Sequence, residues 1–283
     1  MINLGDFKIS VVSGGSFKLD GGSMFGIVPK PIWSKTTSCD EQNRILLETN
    51  CFVIKDGDRT MLIETGVGSK LSDRFRKFHD IAPGNPLVKN LKAIGVQPTD
   101  IDTVILSHLH FDHSGGSTMH AEDGNLIPTF PNAEYVAQRH EWVMATSGYP
   151  ELSGAYMVEN LLPLEETGQL RLIDGNVEIV PGFHAWVTGG HTEGHAAIVV
   201  ESEDEIAVFL GDLCPTTKHL PTLWGMAYDV DVLQLRRKKS EVFGKIADEG
   251  WLALFDHDPQ VTASYLQRDD KRNFVLNNPI VDF

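Results

Sequence analysis

The chain has 283 residues and carries 39 Asp and Glu against 24 Lys and Arg, a formal net charge of −15. Proteins contact nucleic-acid phosphates and anionic membranes through Lys and Arg, so this balance argues against both partners. The composition, 41% apolar and 22% charged, is that of a globular protein. Neither a signal peptide nor an apolar run of membrane-spanning length is visible, so we expect a soluble, cytoplasmic protein. The three cysteines have no CxxC spacing, which argues against disulfides or a thiolate zinc site.

Short apolar runs bounded by Gly, Asp and Asn predict β-strands from the start of the chain to beyond its middle. These runs cover residues 7–12, 46–54, 60–63, 103–106, 134–137, 170–173, 177–180, 185–188, 196–201 and 206–210. Asp56-Gly57-Asp58 separates two of the runs, and residues 202–205 separate two others. Both connections predict β-hairpins.

Two segments have the spacing of helices. Asn85 and Pro86 precede an apolar stripe that ends at Gly95, which predicts a capped helix. A second helix is predicted from Val232, and we expect its basic run, residues 236–239, to face solvent. Hairpins that alternate with single helices predict one α/β domain over residues 1–283.

Residues 20–33 are rich in Gly and Pro and yet strongly apolar. We do not expect this segment to form a regular element. Its large apolar side chains must be buried or line a pocket, and they are Met24, Phe25, Ile27, Val28 and Trp33.

A dense group of potential metal ligands follows the predicted strand 103–106. His108, His110, Asp112 and His113 lie within six residues, flanked by glycines. Alternate residues of an extended segment point the same way, so the first two histidines can share one ion. Imidazole and carboxylate ligands together suit Zn²⁺, with Mn, Fe or Co as alternatives. Three further candidates, each after a predicted or short apolar strand, are His191, Asp212 and His257.

These residues, HLHFDH at 108–113, His191 in GGHTEGH, Asp212 in LGD and His257 in FDHD, resemble the ordered motifs of the metallo-β-lactamase superfamily. The resemblance implies a four-layer αββα sandwich with a dinuclear metal site. It implies that one ion is held by His108, His110 and His191, that the other is held by Asp112, His113 and His257, and that Asp212 bridges the two. Glu64 stands where the superfamily usually has Asp, which leaves its role in orienting a ligand open.

A narrower resemblance concerns residues 9–35 and the stretch LPTLWGMAYD at 220–229. Both are similar to the YtnP-type quorum-quenching lactonases, which implies a hydrolase that opens N-acyl-homoserine lactones. Residues 1–40 would then form an N-terminal strand and an apolar loop beside the active site. Related sequences include methyl-parathion-type hydrolases, so an aryl-ester or organophosphate hydrolase is the alternative. A metal-binding protein without turnover would be expected to lack a ligand, and all seven are present.

The expected mechanism is attack of a metal-bridging hydroxide on the ester carbonyl. Asp112 and Asp212 would orient the nucleophile and shuttle a proton. Some lactonases of the superfamily have a Tyr three residues after the bridging Asp, where this chain has Pro215. Tyr228 is the candidate to supply the phenol instead, with core packing as its alternative role.

The expected partner is a small ester or lactone with an acyl chain, which needs a largely apolar pocket. Candidates for that wall, with ordinary core packing as the alternative, are Met24, Phe25, Trp33, Leu223, Trp224 and Met226. His195 is a candidate to support the site from behind the ligands. The sequence leaves open the metal, the acyl-chain length and the oligomeric state, a homodimer included.

Overall fold

The computed structural model describes residues 1–271 and 273–281, and within them it has eighteen strands and eight α-helices. The strands are β1 (Ile2–Leu4), β2 (Phe7–Ser13), β3 (Phe17–Asp20), β4 (Arg44–Leu47), β5 (Asn50–Asp56), β6 (Arg59–Ile63), β7 (Thr103–Ile105), β8 (Thr118–His120), β9 (Leu126–Pro128), β10 (Glu134–Gln138), β11 (Leu170–Ile173), β12 (Glu178–Val180), β13 (Phe183–Val187), β14 (Ala196–Ser202), β15 (Glu205–Phe209), β16 (Leu252–Leu254), β17 (Ala263–Asp269) and β18 (Asn273–Ile280). The helices are α1 (Gly21–Phe25), α2 (Lys30–Trp33), α3 (Asp73–His79), α4 (Pro86–Ala93), α5 (Phe111–Ser114), α6 (Arg139–Ala145), α7 (Leu162–Glu166) and α8 (Val232–Glu249). None of the helices in these ranges has the length and apolarity needed to cross a bilayer.

Two seven-stranded sheets form the centre of the molecule. Their strand orders are β1-β2-β5-β6-β7-β10-β11 and β12-β13-β14-β15-β16-β17-β18. The sheets face each other across an apolar core in which rings from opposite sheets meet. The ring centroids of Phe7 and Phe183 are 5.6 Å apart, and those of Phe52 and Phe209 are 5.7 Å apart. Burial of these large rings from water stabilises the contact between the sheets.

Helices cover the outer face of each sheet. On the first sheet, Leu87 of α4, Trp142 of α6 and Leu164 of α7 belong to one buried cluster with strand residues. On the second sheet, Phe243 and Ile246 of α8 pack in another. The layer order is therefore helix, sheet, sheet, helix, which confirms the predicted αββα sandwich.

The predicted hairpins and capped helices are confirmed. Strands β5 and β6 pair with Asp56 opposite Arg59, and β14 and β15 pair with Ser202 opposite Glu205. The Asn85 side chain accepts a hydrogen bond from the N–H of Val88 and so caps α4. Parallel pairs, which the hairpin pattern did not predict, join β6, β7, β10 and β11.

The prediction of one strand over residues 46–54 was wrong, because β4 and β5 lie in different sheets. The backbone between them pairs with the opposite end of the chain. The N–H of Glu48 donates to the carbonyl of His257, and the N–H of Asn50 donates to that of Asp256. These hydrogen bonds turn the backbone at residues 48–50, although the apolar strand pattern of the sequence continues through them.

The prediction for residues 20–33 was also wrong, since two short helices form there. Asp20 caps α1 by accepting from the N–H of Ser23. Phe25 stacks on Trp33 with ring centroids 5.2 Å apart, and both are buried. Ile27, expected to be buried or in a pocket, is instead 77% exposed.

The basic run on α8 does not lie wholly in solvent, because Lys239 is completely buried. Its Nζ donates to the carbonyl oxygens of His219 and Trp224. Burial lowers the pKa of this ammonium group. Lys239 thus ties α8 to the segment that precedes Tyr228, a tertiary role that a run of charges does not reveal.

Two backbone segments approach closely beside α5. Gly68 has φ +66°, and a Cβ added there would lie 2.1 Å from the carbonyl oxygen of Gly115. In the same region, the N–H of Thr65 donates to the carbonyl of His113 over 2.8 Å. Only glycine fits this contact without displacing the loop that follows the ligand motif.

Replacement of Gly68 by Ala should lower the free energy of unfolding by about 2–4 kcal/mol, because the new Cβ adds a clash to an unfavourable φ. Urea unfolding followed by circular dichroism measures this change. Gly154→Ala is the matched control, since a Cβ there would meet no atom within 4 Å. Equal midpoints for the two variants would contradict the role given to Gly68.

Candidate metal centre

Loops from both sheets meet at one edge of the sandwich. His108 and His110 follow β7, and Asp112 and His113 lie on α5. The other three candidates come from the second sheet: His191 between β13 and β14, Asp212 after β15, and His257 after β16. The structure therefore brings all seven predicted ligands together, and all are buried except the partly buried His110.

The first group of donor atoms consists of three imidazoles and one carboxylate, those of His108, His110, His191 and Asp212. Nδ1 of His110 lies 3.1 Å from Nε2 of His108 and 3.1 Å from Nε2 of His191. Nε2 of His191 is 3.0 Å from Oδ2 of Asp212. Donor atoms about 2.0–2.2 Å from one tetrahedral ion are about 3.3 Å from each other, so these distances fit a shared cation.

The second group of donor atoms belongs to His113, Asp212, Asp256 and His257, and Asp112 lies beside it. Nε2 of His257 lies 3.2 Å from Nε2 of His113 and 3.3 Å from Oδ1 of Asp212. Oδ2 of Asp112 is 3.6 Å from Nε2 of His257. Asp212 thus presents Oδ2 to His191 of the first group and Oδ1 to His257 of the second, as a bridging carboxylate requires.

The donor set fits divalent cations. Within residues 1–271 and 273–281, Oδ1 of Asp212 is buried and accepts no well-aligned hydrogen bond, which is costly unless a cation is nearby. Burial and repulsion by neighbouring imidazoles hold the pKa values of His108 and His110 well below their usual range. Neutral imidazoles offer lone pairs, and a carboxylate offers charge, which is what a metal ion needs.

Residues outside the two donor groups hold the imidazole rings of the candidate ligands in place through hydrogen bonds. Oδ1 of Asp229 lies 3.0 Å from Nδ1 of His191. The carbonyl oxygen of Glu48 is 2.7 Å from Nδ1 of His257, which assigns the ring proton to that nitrogen. Burial opposes the charge on His191, but the carboxylates of Asp212 and Asp229 outweigh it and raise the pKa to about 10. Such partners hold each ring with its other nitrogen toward the ion.

Glu64 and Asp256 both lie beside His113. Glu64 has φ +64°, and its Oε1 accepts a hydrogen bond from the N–H of Ser107 over 2.8 Å. Its Oε2 is 3.7 Å from Nδ1 of His113, whereas Oδ2 of Asp256 is 3.0 Å from the same nitrogen. Asp256 therefore faces the ring more closely, and Glu64 mainly holds the backbone that enters the ligand motif.

His195 supports the backbone of Asp212. Its Nε2 accepts the N–H of Asp212 over 3.0 Å, and its Nδ1 is 2.6 Å from Oγ1 of Thr188. Burial lowers the pKa of His195 to about 3, so the ring stays neutral and can accept this bond. The fold therefore places His195 behind the ligands, in agreement with its predicted supporting position.

Glu141 of α6 is a residue that no motif or spacing in the sequence singles out. Its fully buried carboxylate accepts bonds from the N–H of Leu109, at 3.2 Å, and the N–H of Gly194, at 3.1 Å. It also accepts from the hydroxyls of Thr192 and Tyr156. One carboxylate thus joins the loop of His108 and His110 to the loop of His191.

A cavity of about 480 Å³ opens over these donors. Met24, Met226 and Tyr228 line it, together with Phe75 and Phe111. The other proposed wall residues do not line this cavity. Phe25 and Trp33 are buried in the apolar cluster that also contains Met24 and Met226, and Leu223 and Trp224 line a separate cavity. The opening is largely apolar, with the donor atoms at its floor, as is typical of small-molecule sites.

The family model of the metallo-beta-lactamase superfamily matches residues 44–272, and the chain belongs to this superfamily. A solved structure described as a probable metal-dependent hydrolase from Staphylococcus aureus aligns with a TM-score of 0.88 and 33% identity, covering 99% of this chain and 100% of that one. The fold of the two chains is therefore the same.

Two further similarities concern proteins named as lactonases. An N-acyl homoserine lactonase from a Bacillus species is 28% identical over 170 residues, 56% of this chain and 61% of that protein. This chain thus matches less than two thirds of that relative's length. AidC, described as a dizinc quorum-quenching lactonase in complex with a product, aligns with a TM-score of 0.80 at 19% identity, over 100% of this chain and 96% of that one. At that identity the likeness concerns the fold.

Glu141→Gln should weaken metal retention about tenfold or more, because the amide turns an N–H group toward donors that now bond to the carboxylate. Metal content after dialysis against a chelator measures the effect. We expect selective loss of metal from the first donor group, whose loops Glu141 joins, so about half of the metal should remain if both groups bind an ion. Glu166→Gln is the control, since Glu166 is an exposed residue at the end of α7, and equal retention by both variants would contradict the role of Glu141.

Proposed function

We propose that the protein is a dinuclear metal-dependent hydrolase that opens the ring of N-acyl homoserine lactones. The observation that carries this proposal is the pair of donor groups that share Asp212 at the floor of an apolar cavity. The superfamily membership and the similarity to proteins named N-acyl homoserine lactonases support it. In this proposal residues 1–283 form one catalytic domain, in which residues 1–40 flank the active site.

The proposed ligands follow the two donor groups, except that Asp112 takes the place of Asp256 in the second. One ion is held by His108, His110 and His191, the other by Asp112, His113 and His257, and Asp212 bridges them. Zn²⁺ suits this mixture of imidazole and carboxylate. When bound, two such ions supply a water of lowered pKa and polarise the carbonyl of the substrate.

The side chains of the protein then orient and transfer protons. Asp112 and Asp212 accept hydrogen bonds from the attacking water and pass its proton toward the ring oxygen that leaves the carbonyl. Water adds to the lactone carbonyl, the bond from that carbon to the ring oxygen breaks, and the product is an N-acyl homoserine. Glu141 and His195 hold the backbone of the ligand loops fixed while this occurs.

Tyr228 is the proposed donor to the substrate carbonyl. Its side chain is 45% exposed and lines the cavity, so it is not a core residue. Burial raises the pKa of its phenol, and the phenol therefore stays protonated at neutral pH and can donate. A neutral donor aimed at a carbonyl that gains negative charge stabilises the transition state.

The zinc-loaded protein should convert N-hexanoyl homoserine lactone to a product one water heavier, which mass spectrometry detects. Asp212→Ala should abolish this turnover and reduce bound zinc, because both donor groups lose a shared ligand. Rapid hydrolysis of paraoxon or aryl esters without lactone turnover would instead favour an organophosphate or aryl-ester hydrolase. Full activity in Asp212→Ala would refute the bridging assignment.

Tyr228→Phe should lower kcat about tenfold to a hundredfold with little change in KM, because the bond strengthens only as charge develops on the carbonyl oxygen. Steady-state kinetics on the lactone test this. Tyr265→Phe, also partly exposed but on β17, is the control. An unchanged kcat for Tyr228→Phe would show that the phenol takes no part in the reaction.

A further inference from the structure

We propose that a second cavity, beside the active-site cavity, binds the distal methylenes of long acyl chains. This cavity has a volume of about 350 Å³. Met144, Leu152 and Tyr156 line both cavities and form the partition between them. The inference rests on the proposed function, since it concerns the acyl group of the same substrate.

The lining of the second cavity suits an aliphatic chain. Beyond the partition it includes the apolar side chains of Ala145, Met157 and Val158, with Ser147, Ser153 and Glu159 as its polar members. Val158 is 41% exposed, so the cavity presents apolar surface to water. A methylene chain covers such surface without leaving a hydrogen bond unmade, and each methylene removed from water contributes about fourfold to binding.

The active-site cavity adjoins the second cavity and has room for the lactone and part of an acyl chain. Its volume of about 480 Å³ lies in the lower part of the range of about 300–1,000 Å³ found for small-molecule sites. The lactone ring and the amide must occupy the part above the donor groups. In this inference the end of a long chain crosses the wall formed by Met144, Leu152 and Tyr156 and enters the second cavity.

Of the three side chains in the partition, Tyr156 is held in place, whereas Met144 and Leu152 can move. The hydroxyl of Tyr156 donates to Glu141 over 3.1 Å, and its ring lies edge-on to His110 with centroids 4.8 Å apart. Met144 and Leu152 are half-buried. The methionine side chain is unbranched and rotates easily, so it can turn aside for an acyl chain while Tyr156 stays in place.

The backbone on either side of Leu152 is exposed. Leu152 ends a 3₁₀ turn, Pro150–Leu152, which lies between Gly148 and Gly154. A Cβ at either glycine would meet no atom within 4 Å. The open space beside both glycines leaves room for this segment to adjust when a chain passes between Met144 and Leu152.

The test compares N-butanoyl and N-dodecanoyl homoserine lactones as substrates of the zinc-loaded protein. Val158→Trp fills the second cavity and should lower the ratio of kcat/KM for the long substrate to that for the short one by about fifteenfold, the contribution of two methylenes. Met144→Ala widens the partition and should raise the same ratio. Val143→Trp is the matched control, since Val143 is 57% exposed on α6 outside both linings, and it should leave the ratio unchanged.

Binding of the ring-opened products, measured by calorimetry, keeps the test independent of turnover. The wild-type protein should bind N-dodecanoyl homoserine more tightly than N-butanoyl homoserine, and Val158→Trp should remove most of the difference. An unchanged ratio and unchanged product affinities in Val158→Trp, or no preference of the wild type for the longer product, would overturn the second cavity as a subsite. Absence of lactone turnover at every chain length would instead overturn the proposed function.

Discussion

The organisation of this molecule depends on one electrostatic constraint, the confinement of five imidazoles and two carboxylates in a space with little water. Nitrogen and oxygen atoms of different residues approach to 3.0–3.3 Å around Asp212. Burial disfavours positive charge on the rings, whereas the carboxylates need positive charge close by. A divalent cation supplies the positive charge that the carboxylates need and leaves the imidazole rings neutral. Protonated histidines would also supply positive charge, but they would place it on the buried rings.

The surrounding fold contributes by holding the backbone of the ligand loops in place rather than by adding ligands. The two sheets supply separate loops, and buried polar groups join them: Glu141 connects the loops after β7 and β13, and His195 holds the N–H of Asp212. Close backbone contact at Gly68 holds the loop after α5. Each is a fully buried hydrogen bond or a steric contact, so small displacements are costly.

The sequence predicted the local part of the site and missed the part made by distant residues. HLHFDH places four donors within six residues, so their proximity follows from the chain itself. Asp229 and Glu141 reach the ligand loops across 38 and 32 residues of sequence, and no spacing rule connects them. The sequence does point to Asp256, because it directly precedes the candidate ligand His257. Its contact with His113, however, depends on how the two sheets pack.

The wrong predictions have the same origin. A run of basic residues on a helix usually faces water, and Lys239 departs from this because a neighbouring loop covers it and offers two carbonyl oxygens. Residues 46–54 have continuous strand periodicity, but hydrogen bonds to the segment that contains His257 divide them. In both places tertiary contacts outweigh local preference.

The central claim is that Asp212 joins two divalent cations. Anomalous diffraction at the zinc edge, from crystals of the zinc-loaded protein, tests it most directly. The account predicts two peaks, one among His108, His110 and His191 and one among Asp112, His113 and His257, each about 2.0–2.2 Å from a different oxygen of Asp212. A single peak, or two peaks of which one lies away from Asp212, would contradict it.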